Sequence, residues 1–258
     1  TRRQFLATTA TLAALPALPA FARAQAAAPG DVGAEALLAA AAEQLLENGP
    51  EGATSLGIDK GERAHLRSRL EDRSIAGKAR VADGLRKRVA ELKALDTRSL
   101  SPVMRTNVDS VRTSFEFGLD GMAFPYGDVA VGGWRNSPYV VVQNVGGYLD
   151  IPRFLDTEHK VDNATDAASW LARFDQYAAL LDGETERLKI AYDKGVVAPD
   201  FLLDKCLKQI ALTRGTDAGK WELVTSYATK RAVTGDQAAA AAEIAASKVA
   251  PALDRQSA

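Results

Sequence analysis

Apolar residues recur every three or four positions along most of this chain, the spacing of one face of an α-helix. Between Ser74 and Leu95 the recurring positions are Val81, Leu85, Val89, Leu92 and Leu95. Basic residues lie between them, a pattern also found in membrane- or calmodulin-binding helices, but interspersed acids and the lack of aromatic residues favour a core-facing helix. Ser101 and Pro102 predict the next helix start after a short connection, so we expect an antiparallel pair.

Further helix starts lie in the second half of the chain. Asn163 or Thr165 can cap a long helix that closes at Lys194-Gly195. Its apolar stripe is Trp170, Phe174, Tyr177, Leu181, Leu188 and Tyr192. Although such a stripe could form a ligand box, its helical spacing favours core packing.

An alanine-rich helix is predicted near the end of the sequence. Thr234 and Gln237 match a capping box, and the helix that follows runs to Val249. Because so apolar a helix needs a partner to cover it, the pattern favours a missing C-terminal portion.

The helical pattern is broken between Trp134 and Val161. Prolines and glycines are concentrated there among aromatic residues, so we expect an irregular loop. Residues 139–142 are β-prone, so 137–142 could form a short strand that pairs with 129–131 as a small hairpin through Gly132-Gly133. The predicted fold is therefore mainly α, with long antiparallel helices packed around an irregular aromatic-rich loop and room for one short β-hairpin.

Residues 1–28 resemble a targeting segment rather than part of the fold. Arg2-Arg3 precede Phe5 and an uncharged run rich in alanine and leucine, which favours a twin-arginine-type export signal over an ordinary signal peptide. Pro16 and Pro19 interrupt the run, so no stable membrane anchor is expected. We expect a periplasmic or secreted protein whose helical domain is residues 29–258, the N-terminal part of a larger domain.

Charge and composition narrow the chemistry. The formal net charge of -1 gives no reason to expect a nucleic-acid partner. Cys206, the single cysteine, lies in an apolar helical stretch and is predicted to be a buried, inert thiol. The two histidines form no metal-binding pattern: His65 is expected on the surface, and His159 in a loop, bonded to backbone rather than to a metal.

No complete catalytic constellation is visible in the sequence. Arg135, Asn136, Tyr139 and Gln143 could make polar contacts in a cleft or could satisfy the backbone of the loop. From this set we select Tyr139 and Gln143 as candidate substrate-binding residues. No catalytic or metal-ligating residue is predicted.

Short motifs in a fixed order carry a resemblance to a known family. They are Ser137-Pro138-Tyr139 through Gln143-Asn144, Ile151-Pro152-Arg153-Phe154-Leu155, Glu158-His159-Lys160-Val161, Asp166-Ala167 and Leu171-Ala172-Arg173-Phe174, with Ala53-Thr54-Ser55-Leu56-Gly57, Leu95-Asp96, Leu100-Ser101, Gly195-Val196-Val197-Ala198-Pro199 and Val249-Ala250-Pro251-Ala252-Leu253. In these motifs the chain resembles the N-terminal half of the bacterial domain-of-unknown-function 885 proteins.

The resemblance implies a largely helical protein similar to zinc metallopeptidases that carry His-Glu-x-x-His on a helix. In that family the motif lies in the C-terminal half, so zinc is expected only in the full-length protein. The leading hypothesis is an exported zinc peptidase-like hydrolase of unknown substrate, with this chain as its non-catalytic N-terminal half. Its partners would be the C-terminal half and a peptide or amide substrate. The alternative is a non-catalytic exported helical binding or scaffold domain.

Overall fold

The computed structural model describes residues 28–131 and 136–258, and helices dominate both ranges. The α-helices are α1 (Asp31–Asn48), α2 (Pro50–Ser55), α3 (Ile75–Lys93), α4 (Pro102–Met122), α5 (Gly147–Thr157), α6 (Ala164–Asp193), α7 (Asp200–Arg214), α8 (Glu222–Ala228), α9 (Gly235–Ile244) and α10 (Ala250–Ser257). A 3₁₀-helix covers Gly61–Ser68, and a π-helical turn, Ala245–Val249, joins α9 to α10. The predicted mainly α class is confirmed. The predicted export signal lies outside the described residues, apart from Ala28.

Helices α1, α3 and α4 pack into one layer. Leu92, near the end of α3, meets Val108, near the start of α4. Leu85, further back in α3, meets Phe115, further along α4. The contacts therefore run in opposite directions along the two helices, which confirms the predicted antiparallel pair. Ser101 caps α4, accepting a hydrogen bond from Met104 N at 3.3 Å.

The second layer is built on α6, which at about 1.5 Å per residue is long enough to cross the whole layer. Trp170 is 2% exposed and stacks on Tyr227 with ring centroids 3.9 Å apart. Its indole N–H donates to Leu155 O at 3.0 Å. Asn163 caps the helix, accepting a hydrogen bond from Asp166 N. The predicted core stripe is confirmed for Trp170, Phe174, Tyr177 and Leu181 but is wrong for Tyr192, which is 69% exposed near the end of the helix. Of the two predicted caps, Asn163 is the one that forms.

The alanine-rich segment is covered within this chain. Ala241, Ala245, Val249 and Ala252 are fully buried in the same cluster as the stripe of α6. The capping box of Thr234 with Gln237 is present as predicted. Helix α6 packs against both α9 and α10 and covers this apolar face within the chain, while the further C-terminal portion stays a prediction.

The described part of the segment from 134 to 161, residues 136–161, is only partly irregular. Its second part is α5, with Pro152 inside the helix, so a loop throughout is the wrong description. Within the described residues there is no strand: this region forms only two isolated antiparallel bridges, Asp128 with Ser137 and Val142 with Val145. Pro138 follows Ser137 and has no N–H to continue the pairing. The neighbouring Val140 instead packs into the core.

Candidate functional site: a charged cleft beside α5

A cleft of about 470 Å³ opens where α2, the start of α3, α5 and the loop before α5 meet. Acidic and basic side chains lie next to one another along its wall. The acids are Glu51, Glu71, Asp128, Asp150 and Glu158, and the bases are Arg73, Lys78 and Arg153. Such a wall suits a ligand that carries charges of both signs or many hydrogen-bonding groups. We refer to this site as the charged cleft.

Arg73 and Glu184 form the buried end of the charged cleft. Arg73 Nη1 lies 2.7 Å from Glu184 Oε1 and 3.9 Å from Asp150 Oδ2, while Arg73 Nε lies 3.2 Å from Glu71 Oε2. Burial alone would lower the pKa of Arg73, but Glu184 and Glu71 outweigh it and hold that pKa well above its ordinary value. The guanidinium is therefore a fixed positive charge.

Glu184 also holds the start of α5. Gly147 N donates to both carboxylate oxygens of Glu184, at 3.0 and 2.9 Å. The first N–H groups of a helix have no partner within the helix, and a carboxylate there is stabilised by the helix dipole. A Cβ on Gly147 would lie 2.4 Å from Leu180 Cδ2, so a larger residue would require the Leu180 side chain to shift.

Lys78, Asp128 and Arg187 form the other end of the network. Lys78 Nζ lies 2.9 Å from both Glu71 Oε1 and Asp128 Oδ1, and Arg187 Nη2 lies 3.0 Å from the same Asp128 oxygen. Burial opposes ionisation of Asp128, but Lys78 and Arg187 outweigh it and lower its pKa. The pKa of Lys78 is raised because Glu71 and Asp128 outweigh its burial.

Glu51 differs from the other acids of the charged cleft. Burial, and then the neighbouring charge of Glu71, raise the pKa of Glu51. By contrast, Lys78 and Arg73 overcome the effect of burial at Glu71 and lower its pKa. Glu51 therefore takes up a proton at higher pH than Glu71, although Glu71 N donates to Glu51 Oε1 at 3.0 Å. A carboxyl with a raised pKa in a cleft is a typical feature of a functional site.

A second polar cluster, centred on Arg173, lies under α2. Arg173 is 0% exposed, and its guanidinium donates to Thr54 Oγ1 at 2.8 Å and Leu66 O at 3.0 Å. It also lies 2.9 Å from His159 Nδ1, while His159 Nε2 lies 3.3 Å from Asp166 O. Burial, followed by the charge of Arg173, lowers the pKa of His159 to about 4. His159 is therefore neutral at pH 7 and is bonded to backbone, as predicted.

The two predicted substrate-binding residues lie in the loop that precedes α5. Tyr139 and Gln143 are both half-buried, and Tyr139 N donates to Ser137 Oγ at 3.0 Å. Neither contributes to the lining of the charged cleft, although Val140 between them does. Their contact with a substrate stays a prediction. Asn136 satisfies backbone, accepting a hydrogen bond from Ala130 N at 2.9 Å, while Arg135 lies outside the described residues.

The other single-residue predictions concern His65 and Cys206. His65 is exposed and pairs with Glu47, as expected for a surface histidine. Cys206 is buried, and burial raises the pKa of its thiol, as predicted for an inert cysteine. No group of three or more histidine, cysteine or acidic side chains is placed to hold a metal ion in the described part of the chain. None of its helices there is both long and apolar enough to cross a membrane.

Sequence reasoning missed the residues that build the charged cleft. Arg73 and Glu184 meet across more than a hundred positions, and both stand among other charged residues in the sequence. Charged residues on a solvated helix face show the same pattern in a sequence. The sequence therefore contains no signal that distinguishes this buried pair from surface charges.

These features define a mainly helical protein with a cleft lined by side chains of both charges. The chain belongs to the family described as bacterial protein of unknown function (DUF885), whose profile matches residues 50–258. It is also similar in fold to the crystal structure of the putative lipoprotein from Colwellia psychrerythraea, with a TM-score of 0.72 at 17% sequence identity. That similarity covers 88% of this chain and 40% of the other. No curated protein matches the chain.

Proposed function

We propose that this chain forms the substrate-binding wall of an exported zinc peptidase-like hydrolase that acts on peptides or amides. The observation that carries the proposal is the charged cleft, where acids and bases alternate around Arg73. Peptides have charged termini of opposite sign and an amide at every residue, which such a wall can bind. The family resemblance adds the class of reaction, because the resembled proteins carry His-Glu-x-x-His in their C-terminal half.

The described residues of this chain do not fit a zinc site, so the metal and the general base would lie in a C-terminal half. The role of the present residues would be to bind and orient. Asp150 and Glu158 suit a substrate ammonium or amide N–H, and Arg153 suits a carboxylate. Tyr139 and Gln143 would add hydrogen bonds from the loop beside the cleft.

The first test is to read the gene in frame beyond the codon for Ala258. We expect a His-Glu-x-x-His motif, one zinc per purified full-length protein, and peptide or amide hydrolysis. Replacing the glutamate of that motif by glutamine should abolish hydrolysis and leave zinc bound. A stop codon directly after Ala258, or a full-length protein without zinc, would contradict the proposal.

The second test concerns the charged cleft itself. Arg153 is 61% exposed at its side chain, so Arg153→Ala should fold normally and raise KM for peptides about tenfold. Arg98→Ala is the matched control, because Arg98 is 91% exposed and lies on the connection between α3 and α4. Equal KM values in the two variants would show that Arg153 does not contribute to substrate binding. Alanine at Tyr139 or Gln143 should likewise raise KM. Unchanged kinetics would show that the loop before α5 has a structural role and does not contact the substrate.

Export is the third part of the proposal and has its own test. Arg2-Arg3→Lys-Lys should retain the protein in the cytoplasm if the twin-arginine route is used. We expect fractionation to show the unaltered protein in the periplasm or medium. The same distribution for both proteins would contradict the twin-arginine assignment, while leaving the hydrolase assignment open to its own tests.

A non-catalytic exported binding or scaffold domain is the second candidate function. It is favoured by the burial of the alanine-rich face within this chain, where Ala241, Ala245 and Val249 belong to the main core cluster. It predicts that residues 28–258 unfold cooperatively as a monomer and that a longer product, if one exists, hydrolyses no peptide. Aggregation or a molten state of that segment would count against it.

A further inference from the structure

An apolar pocket of about 390 Å³ adjoins the charged cleft on the side of α3 and α4. Its lining includes Ile75, Ala79, Met122, Phe124 and Ile190. The volume is within the range of small-molecule sites, which are mostly apolar with a few polar groups. We refer to this site as the apolar pocket.

Two features shape the apolar pocket. Phe124 lines it and is 58% exposed, with its ring centroid 5.5 Å from that of Tyr126. Gly121 lets the opposite wall approach α4, because a Cβ there would lie 2.9 Å from Val129 Cγ2. An exposed aromatic side chain at a concave, apolar site is typical of ligand binding.

The apolar pocket and the charged cleft share residues but differ in the balance of charge. Lys78, Asp128, Val129 and Val140 line both. The lining of the apolar pocket contains Lys78, Arg86 and Arg187 against the single acid Asp128, and the further partners of these bases, Glu71 for Lys78 and Asp83 for Arg86, lie outside that lining. The charged cleft has the opposite balance, five acids to three bases. A ligand spanning both sites would therefore have its carboxylate in the apolar pocket and its ammonium in the charged cleft.

We propose that the apolar pocket is the subsite for the C-terminal residue of a short peptide that carries a large apolar side chain and a free carboxylate. The side chain would lie against Ala79, Met122 and Phe124, and the carboxylate near Lys78 and Arg187. The peptide's N-terminal part would extend past Asp128 into the charged cleft. This inference deepens the proposed function and rests on it for the claim that the bound peptide is a substrate.

The test is calorimetric binding of three dipeptide probes to the chain Thr1–Ala258. Glycyl-phenylalanine should bind roughly 10- to 100-fold more tightly than glycyl-alanine, because burying a phenyl group stabilises the complex. Glycyl-phenylalanine amide, which lacks the carboxylate, should bind about tenfold more weakly than the free acid. Equal affinities for all three, or no saturable binding of glycyl-phenylalanine, would overturn the proposal.

Two substitutions on α3 locate the binding. Ala79 is exposed on the rim of the apolar pocket, so Ala79→Phe should obstruct it without disturbing the core. Ala90 is exposed on the same helix and lines neither site, which makes Ala90→Phe the matched control. We expect Ala79→Phe alone to lose the preference for phenylalanine, with unchanged circular dichroism in both. A preference retained in Ala79→Phe would overturn the assignment.

The outcomes separate this subsite from the proposed hydrolase. If glycyl-phenylalanine is preferred by this chain but the full-length protein lacks zinc and hydrolysis, the hydrolase proposal fails and the binding site stands. If the full-length protein hydrolyses peptides without preference for an apolar C-terminal residue, the subsite fails and the hydrolase stands.

Discussion

The buried His159 should make this fold sensitive to mild acid. His159 is 2% exposed, accepts a hydrogen bond from Arg173 on one ring nitrogen and lies near Arg67. Protonation would place a third positive charge in this buried cluster, with Asp166 offsetting only part of it. We therefore expect the protonated form to be destabilised in the folded protein but not in the unfolded chain.

The magnitude follows from the difference between the two pKa values. Burial and Arg173 lower the pKa of His159 from 6.5 to about 4 in the folded state. At about 1.36 kcal/mol per pKa unit, the difference corresponds to about 3 kcal/mol of stability. The unfolded chain binds the additional proton between these values. The contribution is thus fully present above about pH 6.5, falls as the pH drops towards 4, and is lost below that.

The assay is the free energy of unfolding in urea at pH 7.5, 6.0, 5.0 and 4.0. His159→Gln can still accept from Arg173 but does not titrate, so it should lose about 3 kcal/mol less than the unaltered chain over this range. His65→Gln is the control, because His65 is the only other histidine and is exposed. Parallel pH dependences for His159→Gln and the unaltered chain would refute the reasoning.

Three further predictions concern folding alone and are checked by urea unfolding at pH 7.5. Trp170→Ala should cost about 4 kcal/mol because it leaves a core cavity, whereas Tyr192→Ala, at a 69% exposed position of the same helix, should cost under about 1. Glu184→Gln should lower the free energy of unfolding by about 3 kcal/mol, because Arg73 loses a buried charge partner. Glu186 is exposed, so Glu186→Gln should leave the free energy of unfolding unchanged. Equal losses in the two variants would contradict the buried role of Glu184. Thr234→Ala should cost about 1 kcal/mol and Thr234→Ser should restore most of it; no loss in Thr234→Ala would contradict a stabilising role for the capping box.

Local signals made much of the fold predictable. Ser101, Asn163 and Thr234 each cap a helix through a side chain that acts within three residues, so their effect is readable from the sequence. The α3–α4 pair followed from a short connection and two apolar faces. In each case the interacting residues are neighbours either in sequence or on one helix face.

Helix α5 was missed because tertiary structure determines where it starts. Gly146-Gly147 and Pro152 favour a loop by local propensity. The acceptor for Gly147 N is Glu184, which lies 37 residues further along the chain. The charged cleft was unpredictable for the same reason, since the pairs that bring its walls together, Arg73 with Glu184 and Lys78 with Asp128, join residues distant in sequence.

Helix α6 connects these observations, because it carries the central residues of both polar clusters. Arg173 and Glu184 are separated by three turns and therefore project from the same face of α6. Arg173 holds α2 through Thr54, and Glu184 holds the residues before α3 and the start of α5. The walls of the charged cleft are thus attached to one helix. Substitutions that shift α6 should therefore alter ligand binding even where they touch no lining residue. If the walls of the cleft were positioned independently of α6, the same substitutions would leave ligand binding unchanged.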